Sequence, residues 1–545
     1  MKKLVVFVLR NLLIQTGFVK QIQGVSTYIQ GVPEDRRMET FLALFSLHIS
    51  EYLLILLTFF TSLLLLKYFG SISKRNAPPG PWGFPIIGHL PLLGDKPQAT
   101  FKRWRETYGD VFKIRLGSWD TVVINGQNAV RDALERTDDA YSGRPNFYTM
   151  KVFKDVNSNE NTLAFGEFDS SWFVHRKLAS KALRTFSNTR NHSVQDLVTE
   201  EAIYMIDALL EHNARPFFPD SEISKSVGSV IYQLCYGRGQ DVRKDDLFQA
   251  FLKSSDEFIK FTGAGNPVDV MPWLSHIMPW KTCKFRQLVM KSIQFRDIKI
   301  QEHKQDFVSD HLRDITDAFL AEDLTDRDSK GKEEHISRNR LLSTLNDLVG
   351  AGFSTTSTTL QWAILFMASN PDAQKRVQAE VDAVVGSGRN VELGDRSKMP
   401  LTEATILETM RLSSIVPFAL PHYTTMDTIL NGYHIKKDTV VFVNLHSLAF
   451  DNDTWNNPDA FRPERFFGEI GQLNKEKASS FLPFGLGHRR CLGEYLALTE
   501  LFIFFTTLIQ RCNFIRPDSE TYTMDGVFGL TYSPKPYKVS VVART

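Results

Sequence analysis

Four cysteines, Cys235, Cys283, Cys491 and Cys512, are all that this 545-residue sequence contains. They are too few and too scattered to staple a disulfide scaffold. No Cys-x-x-Cys pair and no histidine cluster offers a zinc site. Excess charge is missing too: 64 Lys and Arg stand against 62 Asp and Glu, a net +2. That balance argues against nucleic acid as a dominant partner and makes any basic patch local. Repeats and low-complexity tracts are also absent beyond the amino-terminal region. What remains is bulk. Hydrophobic residues make up 43% of the chain, enough for one large domain or two to three ordinary ones. The cysteine usage fits a reducing, cytosolic setting for most of it.

The amino terminus differs. Phe41 to Leu66 is almost continuously apolar and, at about 1.5 Å per residue, can cross a hydrocarbon layer of about 30 Å. It predicts a membrane-anchor helix. A cleaved signal peptide has a shorter apolar core and a small-residue cleavage site, and neither is present. Lys67, Lys74 and Arg75 follow the span, so the positive-inside rule puts the rest of the chain in the cytosol. Residues 1–37 form a prefix whose Leu4–Leu9 run is too short to span, and Met38 offers a second start just before the anchor. The resulting division is prefix 1–37, anchor region 38–70, a basic and proline-rich hinge 71–89, and a domain 90–545. Pro78-Pro79-Gly80-Pro81 excludes a helix and makes the hinge a stiff joint.

Beyond the hinge, Val111–Leu116 and Thr121–Ile124 read as strands, and most of 126–398 reads as helices. Glu322–Ser337 reads as an exposed linker. Pro371 opens a helix with Gln374, Lys375, Arg376 and Glu380 on its wet face. Strands return near Tyr433–Ile435, Thr439–Asn444 and Lys538–Val542. The fold class is mainly α with a smaller β-rich part.

One cysteine stands in an unusual setting, Phe484-Gly485-Leu486-Gly487-His488-Arg489-Arg490-Cys491-Leu492-Gly493, just ahead of an apolar helical run. The glycines allow tight turns and close approach to something flat. Flanking cations and a helix N-terminus favour a thiolate, and such a thiolate can be an axial ligand to haem iron. A buried cysteine beside a turn is the ordinary alternative. The complete Phe-x-x-Gly-x-Arg-x-Cys-x-Gly pattern resembles the haem-binding signature of cytochrome P450 monooxygenases.

Further motifs extend the resemblance over about residues 41–545. Glu408 and Arg411 lie one helical turn apart, and with Arg465 in Pro463-Glu464-Arg465-Phe466 they resemble the family's Glu-Arg-Arg lock. Trp172 and Arg176 resemble its Trp-x-x-x-Arg pair, which with His422 and Arg489 implies contacts to the haem propionates; Phe484 belongs to the cofactor loop. Ala351-Gly352-Phe353-Ser354-Thr355 resembles the oxygen-activation motif of the distal helix, in which Gly350 and Gly352 permit close approach and Thr355 opens a cleft. Ser354 takes the usual acidic position there, which implies slower protonation and more peroxide leakage. Thr355 and Ser354 are the catalytic candidates. The family's substrate-contact regions nominate Phe261, Asn346, Val349, Ala351, Val416, Phe418, Leu420, Val527 and Phe528 as pocket lining. Phenyl groups at 261, 353, 418 and 528 would favour flat aromatic ligands.

The resemblance implies a cytochrome P450 fold and haem b held by the Cys491 thiolate. It also implies insertion of one oxygen atom from O2 into small lipophilic aromatics or steroids. No nicotinamide fingerprint is present, so NADPH acts only through an external donor. For a microsomal member that donor is NADPH–cytochrome P450 reductase, with cytochrome b5 as a second partner and Lys177, Lys181, Arg184 and Arg490 as the docking surface. The implied location is the endoplasmic reticulum membrane, with the catalytic domain cytosolic. Gly263–Asp269, Leu420–Thr425 and Gly526–Tyr537 favour the animal aryl-hydrocarbon-hydroxylase branch, with the steroid 17α-hydroxylase branch second. The alternatives are a selective endogenous steroid hydroxylase, or a membrane-tethered haem-binding sensor with weak turnover.

Overall fold

A computed structural model describes residues 76–544 apart from 158–161, 188–193, 239–241, 264–265 and 329–336, together with Thr58, Thr61 and Ser62. The chain divides into two units, Met1–Arg75 and Asn76–Thr545, and the fold below is that of the second. The prefix and nearly all of the expected anchor lie outside the described residues. Among the described residues, no helix is long and apolar enough to cross a membrane.

The helices that build the core are α1 (Pro97–Tyr108), α2 (Tyr148–Val156), α3 (Ser170–Ser187), α4 (Val194–Leu210), α5 (Asp220–Tyr236), α6 (Asp246–Gly263), α7 (Pro279–Asp306), α8 (Ile315–Asp328), α9 (Arg338–Ser369), α10 (Pro371–Val384), α11 (Pro400–Ser413) and α12 (Glu494–Arg511). Proline at the first turn starts α1, α7, α10 and α11, where its missing N–H has no helical partner to lose. Ser337 caps α9 by accepting from Arg340 N. α11 stops where Ser414 turns left-handed at φ 39°.

α12 is apolar nearly all round, and its residues Thr499–Gln510 are all buried. A helix of this kind has to sit inside the molecule. It packs against α4, α9, α10 and α11. α9 crosses α5 closely: a Cβ on Gly352 would come within 3.1 Å of Ile231. Gly352 therefore serves helix packing, and Gly350, with open space where a Cβ would point, is the glycine that leaves room on the other side.

The main sheet runs β1 (Val111–Leu116), β2 (Trp119–Ile124), β6 (Val440–Val443), β3 (His422–Tyr423) in spatial order. β1 and β2 form a hairpin pairing Val111 with Ile124, and β2 runs parallel to β6. β3 pairs antiparallel to β6 and sets His422 opposite Val441. Three smaller ribbons are β4 (Thr428–Leu430) with β5 (Tyr433–Ile435), β7 (Cys512–Ile515) with β10 (Ser540–Ala543), and β8 (Gly526–Val527) with β9 (Ser533–Pro534). The mainly helical fold with a small β part agrees with the sequence.

Two local expectations fail. Glu322–Asp328 is the last part of α8 rather than linker. Gln374 is buried, donating to the Phe514 and Met367 carbonyls and accepting from Phe514 N. Its amide satisfies the edge of β7, a role that helical periodicity cannot show. Glu380, on the same helix, accepts from the Leu401 and Thr402 amides.

Candidate active site

The cysteine loop closes on itself. Cys491 N donates to Phe484 O at 2.9 Å, and Arg490 N to Gly487 O at 3.1 Å. Gly485 and Gly487 hold φ of 69° and 70°, which side chains other than glycine's rarely adopt. A Cβ on Gly487 would also lie 2.1 Å from Leu134 O, whereas one on Gly485 would meet open space. Gly493 needs no such freedom, with φ −89° as the N-cap of α12.

Cys491 is set deep in the fold yet accessible. Burial raises its thiol pKa, while the Gly493 N–H, Arg176 and Arg490 pull it down. Arg490 is held by Glu494 through two bonds of 2.7 and 2.8 Å, and that carboxylate itself raises the thiol's pKa. A coordinating metal ion deprotonates such a thiol outright.

Behind the loop, Glu408, Arg411 and Arg465 meet as expected. Glu408 accepts from Arg411 Nε and Nη2 at 2.8 and 2.9 Å, and from Arg465 Nε at 3.0 Å. Both guanidiniums also reach backbone carbonyls: Arg411 those of Ala449 and Pro458, Arg465 those of Asn456, Asn457 and Ala460. Glu408 and Arg411 are 0% exposed. One carboxylate thus ties α11 to the segment leading to the cysteine loop, with every strong donor satisfied.

A second cationic cluster is held by backbone carbonyls. Arg489 donates to the Ser142, Leu163 and Gly166 carbonyls, and Arg176 to Arg490 O. Arg144, which sequence reading did not single out, donates to the Ala164, Leu420 and Pro421 carbonyls. Among the described residues none of the three forms an ion pair. Burial, and then repulsion from Arg489 and Arg176, drives the Arg144 pKa far down; burial and repulsion from Arg176 bring Arg489 to about 10, against the pull of Asp138 and Asp169. His422 stands beside them with Nδ1 bonded to Tyr141 O at 2.7 Å. Burial and Arg144 keep its imidazole neutral. Trp172 donates its indole N–H to Leu163 O at 3.0 Å and lies 4.2 Å under the Arg489 guanidinium, so here it supports the cation. One buried and two half-buried guanidiniums, none in an ion pair and the latter two feeling Asp138 only at a distance, leave room for an anionic partner.

A cleft is lined by Thr355 and Thr356 of α9, Val416 after α11, Phe484 of the loop, and Ala497 and Leu501 of α12. Thr355 Oγ1 donates to Ala351 O at 2.8 Å, the diversion expected of a hydroxyl inside a helix. Ala351 is exposed one turn earlier, and Ser354 is buried.

The other pocket candidates scatter. Val349 is 2% exposed and belongs to the main core, and Phe353 packs over Gly228 of α5. Both therefore face helix packing instead of the cleft. Phe418 lies 5.0 Å from Phe101 and 5.7 Å from Phe528 in an aromatic cluster. Phe261 sits in a separate apolar group with Phe285. Val527 is exposed on β8. Asn346 is half-buried, with an enclosed Nδ2 lacking a partner. Leu420, half-buried, contributes a carbonyl to Arg144.

The Cytochrome P450 family model matches residues 78–541. The chain belongs to the cytochrome P450 family. It is 35% identical to Cytochrome P450 1A2 of Canis lupus familiaris over 84% of this chain and 90% of that one. It is 36% identical to Cytochrome P450 1A1 of Homo sapiens over 83% and 90%. This P450 is accordingly a haem monooxygenase acting on lipophilic substrates, with haem b bound through a cysteine thiolate and electrons supplied by a redox partner. The residues fit the cofactor. An accessible cysteine is accompanied by three guanidiniums that form no ion pair among the described residues and could receive porphyrin carboxylates.

Proposed function

We propose that Cys491 is the axial thiolate, and that Arg144, Arg176, Arg489 and His422 hold the propionates with Trp172 in support. Phe484 and the Glu408–Arg411–Arg465 lock would then fix the loop carrying the sulfur. The observation that carries this reading is the gathering of Arg144, Arg176 and Arg489 on backbone carbonyls, with no ion pair among the described residues and with Arg144 itself buried. When bound, the haem supplies O2 activation: one oxygen atom enters the substrate and the other leaves as water, for two electrons and two protons.

The chain's own residues position and protonate. Thr355 presents its hydroxyl oxygen to the cleft while its proton bonds Ala351 O. Ser354, buried and without an ionisable group, is a poor source of protons. The Phe418–Phe528 cluster supports small lipophilic aromatic or steroid-like substrates, by stacking worth about 1 kcal/mol beyond burial.

NADPH–cytochrome P450 reductase is the electron donor of this reading, and cytochrome b5 a second acidic partner. Lys177, Lys181 and Arg184 are exposed on α3. Lys181 is paired with Glu322 and Arg490 with Glu494; surface pairs of this kind are weak and exchangeable. Attachment to the endoplasmic reticulum, with the catalytic unit cytosolic, is supported by two exposed apolar groups. Trp273, Ile277 and Trp280 form one and Trp82, Phe84 and Ile86 the other. Ile87 O and Val270 O accept from the adjacent amides Gly117 N and Ser118 N, which brings the two segments to one turn.

The test is reconstitution of the anchored protein with reductase, screening planar aromatics and steroids by product mass. Substrate-dependent NADPH consumption matched by oxygenated product is expected. Haem binding with no turnover across both sets would favour the sensor alternative and sink the enzyme reading.

A further inference from the structure

His303 lies in the last turn of α7 and is 7% exposed; Asp314, 1% exposed, stands just ahead of α8. Asp314 caps that helix, its Oδ1 accepting from Asp317 N at 2.9 Å and its carbonyl oxygen from Ala318 N. Both ring nitrogens of His303 meet oxygens. Nδ1 lies 2.7 Å from Lys299 O, and Nε2 lies 2.8 Å from Asp314 Oδ2. A carbonyl oxygen only accepts, so Nδ1 carries a hydrogen. A neutral ring would then aim the Nε2 lone pair at a carboxylate, a contact of two acceptors. A proton has to lie between them.

The surroundings favour that proton. A cation at the end of α7 and an anion at the start of α8 each complement the helix dipole. Asp306 and Asp317 stand near the ring with Asp314, against the single guanidinium of Arg313, which donates to both. Lys299, one turn back on α7, is answered by Asp245 and Glu302. On the α5 side, burial keeps Cys235 and Tyr236 uncharged. A Cβ on Gly237 would come within 2.8 Å of Asp314 Oδ2, so glycine lets the chain pass there. Burial opposes the charge on His303, but Asp314, the Lys299 carbonyl and Asp317 together hold its pKa above the ordinary 6.5. Burial raises the Asp314 carboxyl as well, so the proton belongs to the pair. A cavity of about 980 Å³ opens beside His303 and Asp314, with Arg238, Lys244, Asp310 and His311 elsewhere on its wall.

We propose that His303 and Asp314 form a proton-held clasp that fastens the start of α8 to the end of α7, and that this joint loosens when the proton leaves through the cavity. The Nε2–H bond breaks, the proton goes to water, and no electrons move. Nε2 and Oδ2 then repel. The loop between the helices keeps the Asp306–Arg313 pair, which is largely exposed on the Asp306 side and therefore weak. Thr316 Oγ1 still donates to Cys235 O at 2.6 Å, so α8 stays on α5 and the loosening is confined to the loop and the first turn. A folded pKa above the unfolded one gives stability that is full below pH 6.5 and is lost as pH rises through the folded value. The clasp is closed in acid and opens toward alkaline pH.

The test is hydrogen–deuterium exchange of the haem-loaded, membrane-anchored protein between about pH 6 and 9, corrected for the pH dependence of free amides. Amides of the α7–α8 loop and of the first turn of α8, Asp317 and Ala318 among them, should lose protection through a midpoint above 6.5. Those of α12 should not change. His303→Gln, whose side-chain amide can still donate to Asp314, should abolish the step. Asp314→Asn keeps a good cap while removing the charge, and should move the midpoint down. Protection in the parent that does not vary with pH overturns the proposal. So does a step that persists in His303→Gln, that vanishes in His311→Gln instead, or that spreads evenly over the whole chain. If His303→Gln fails to fold, an unmoved midpoint in Asp314→Asn overturns it.

Discussion

Arg144 shows what a single side chain would contribute to the proposed haem site. Its hydrogen bonds go to three carbonyls, and burial with two neighbouring guanidiniums drives its pKa down. A bound dianion relieves that repulsion, so protein and cofactor stabilise each other. Arg144→Gln is expected to speed haem loss about ten-fold, one charge-assisted bond's worth, measured by transfer to an apoprotein acceptor. Asp347 gives a pH signature. Burial raises its carboxyl from 3.8 to about 7, against the pull of the Leu163 and Ala164 amides. The folded protein then binds a proton that the unfolded chain has released. Its contribution to stability is full below about pH 4 and is lost as pH rises through about 7. Asp347→Asn keeps an acceptor for Leu163 N and removes the titration. The decline in Tm between about pH 5 and 8 should therefore be shallower in the variant than in the parent.

At the scale of elements, the lock and the loop act as one joint. Glu408→Gln leaves Arg411 and Arg465 buried with reduced compensation, which costs about 3–5 kcal/mol when such a pair is broken. Urea unfolding and haem content should fall together. Gly487→Ala places a methyl against Leu134 O at a φ of 70°. It should lower haem content more than Gly485→Ala, whose methyl meets open space.

These features were legible because their information is local. The lock pairs Glu408 and Arg411 one helical turn apart, the loop is ten consecutive residues, and Pro371 announces its helix. Orientation was legible less often. Val349 and Gly352 turn toward α5 because that helix packs there, and Gln374 turns inward to meet β7. Arg144 was missed because an arginine between glycine and proline carries no spacing signal of its own.

Across the whole molecule, the site gathers residues from Tyr141 to Leu501, and the large helical core holds its two halves in register. α9 and α12 supply walls of the cleft. The β3–β6 edge and the loops beside α3 supply the cationic side. Cys491 stands where these meet, bonded through its N–H to Phe484 of the cleft wall. The most direct test of the account is the carbon monoxide difference spectrum of the reduced, haem-loaded protein. The parent should show the thiolate-type band, and Cys491→Ser should lose it while far-ultraviolet circular dichroism stays unchanged. A thiolate-type band that persists in Cys491→Ser would contradict the assignment of Cys491 as the ligand.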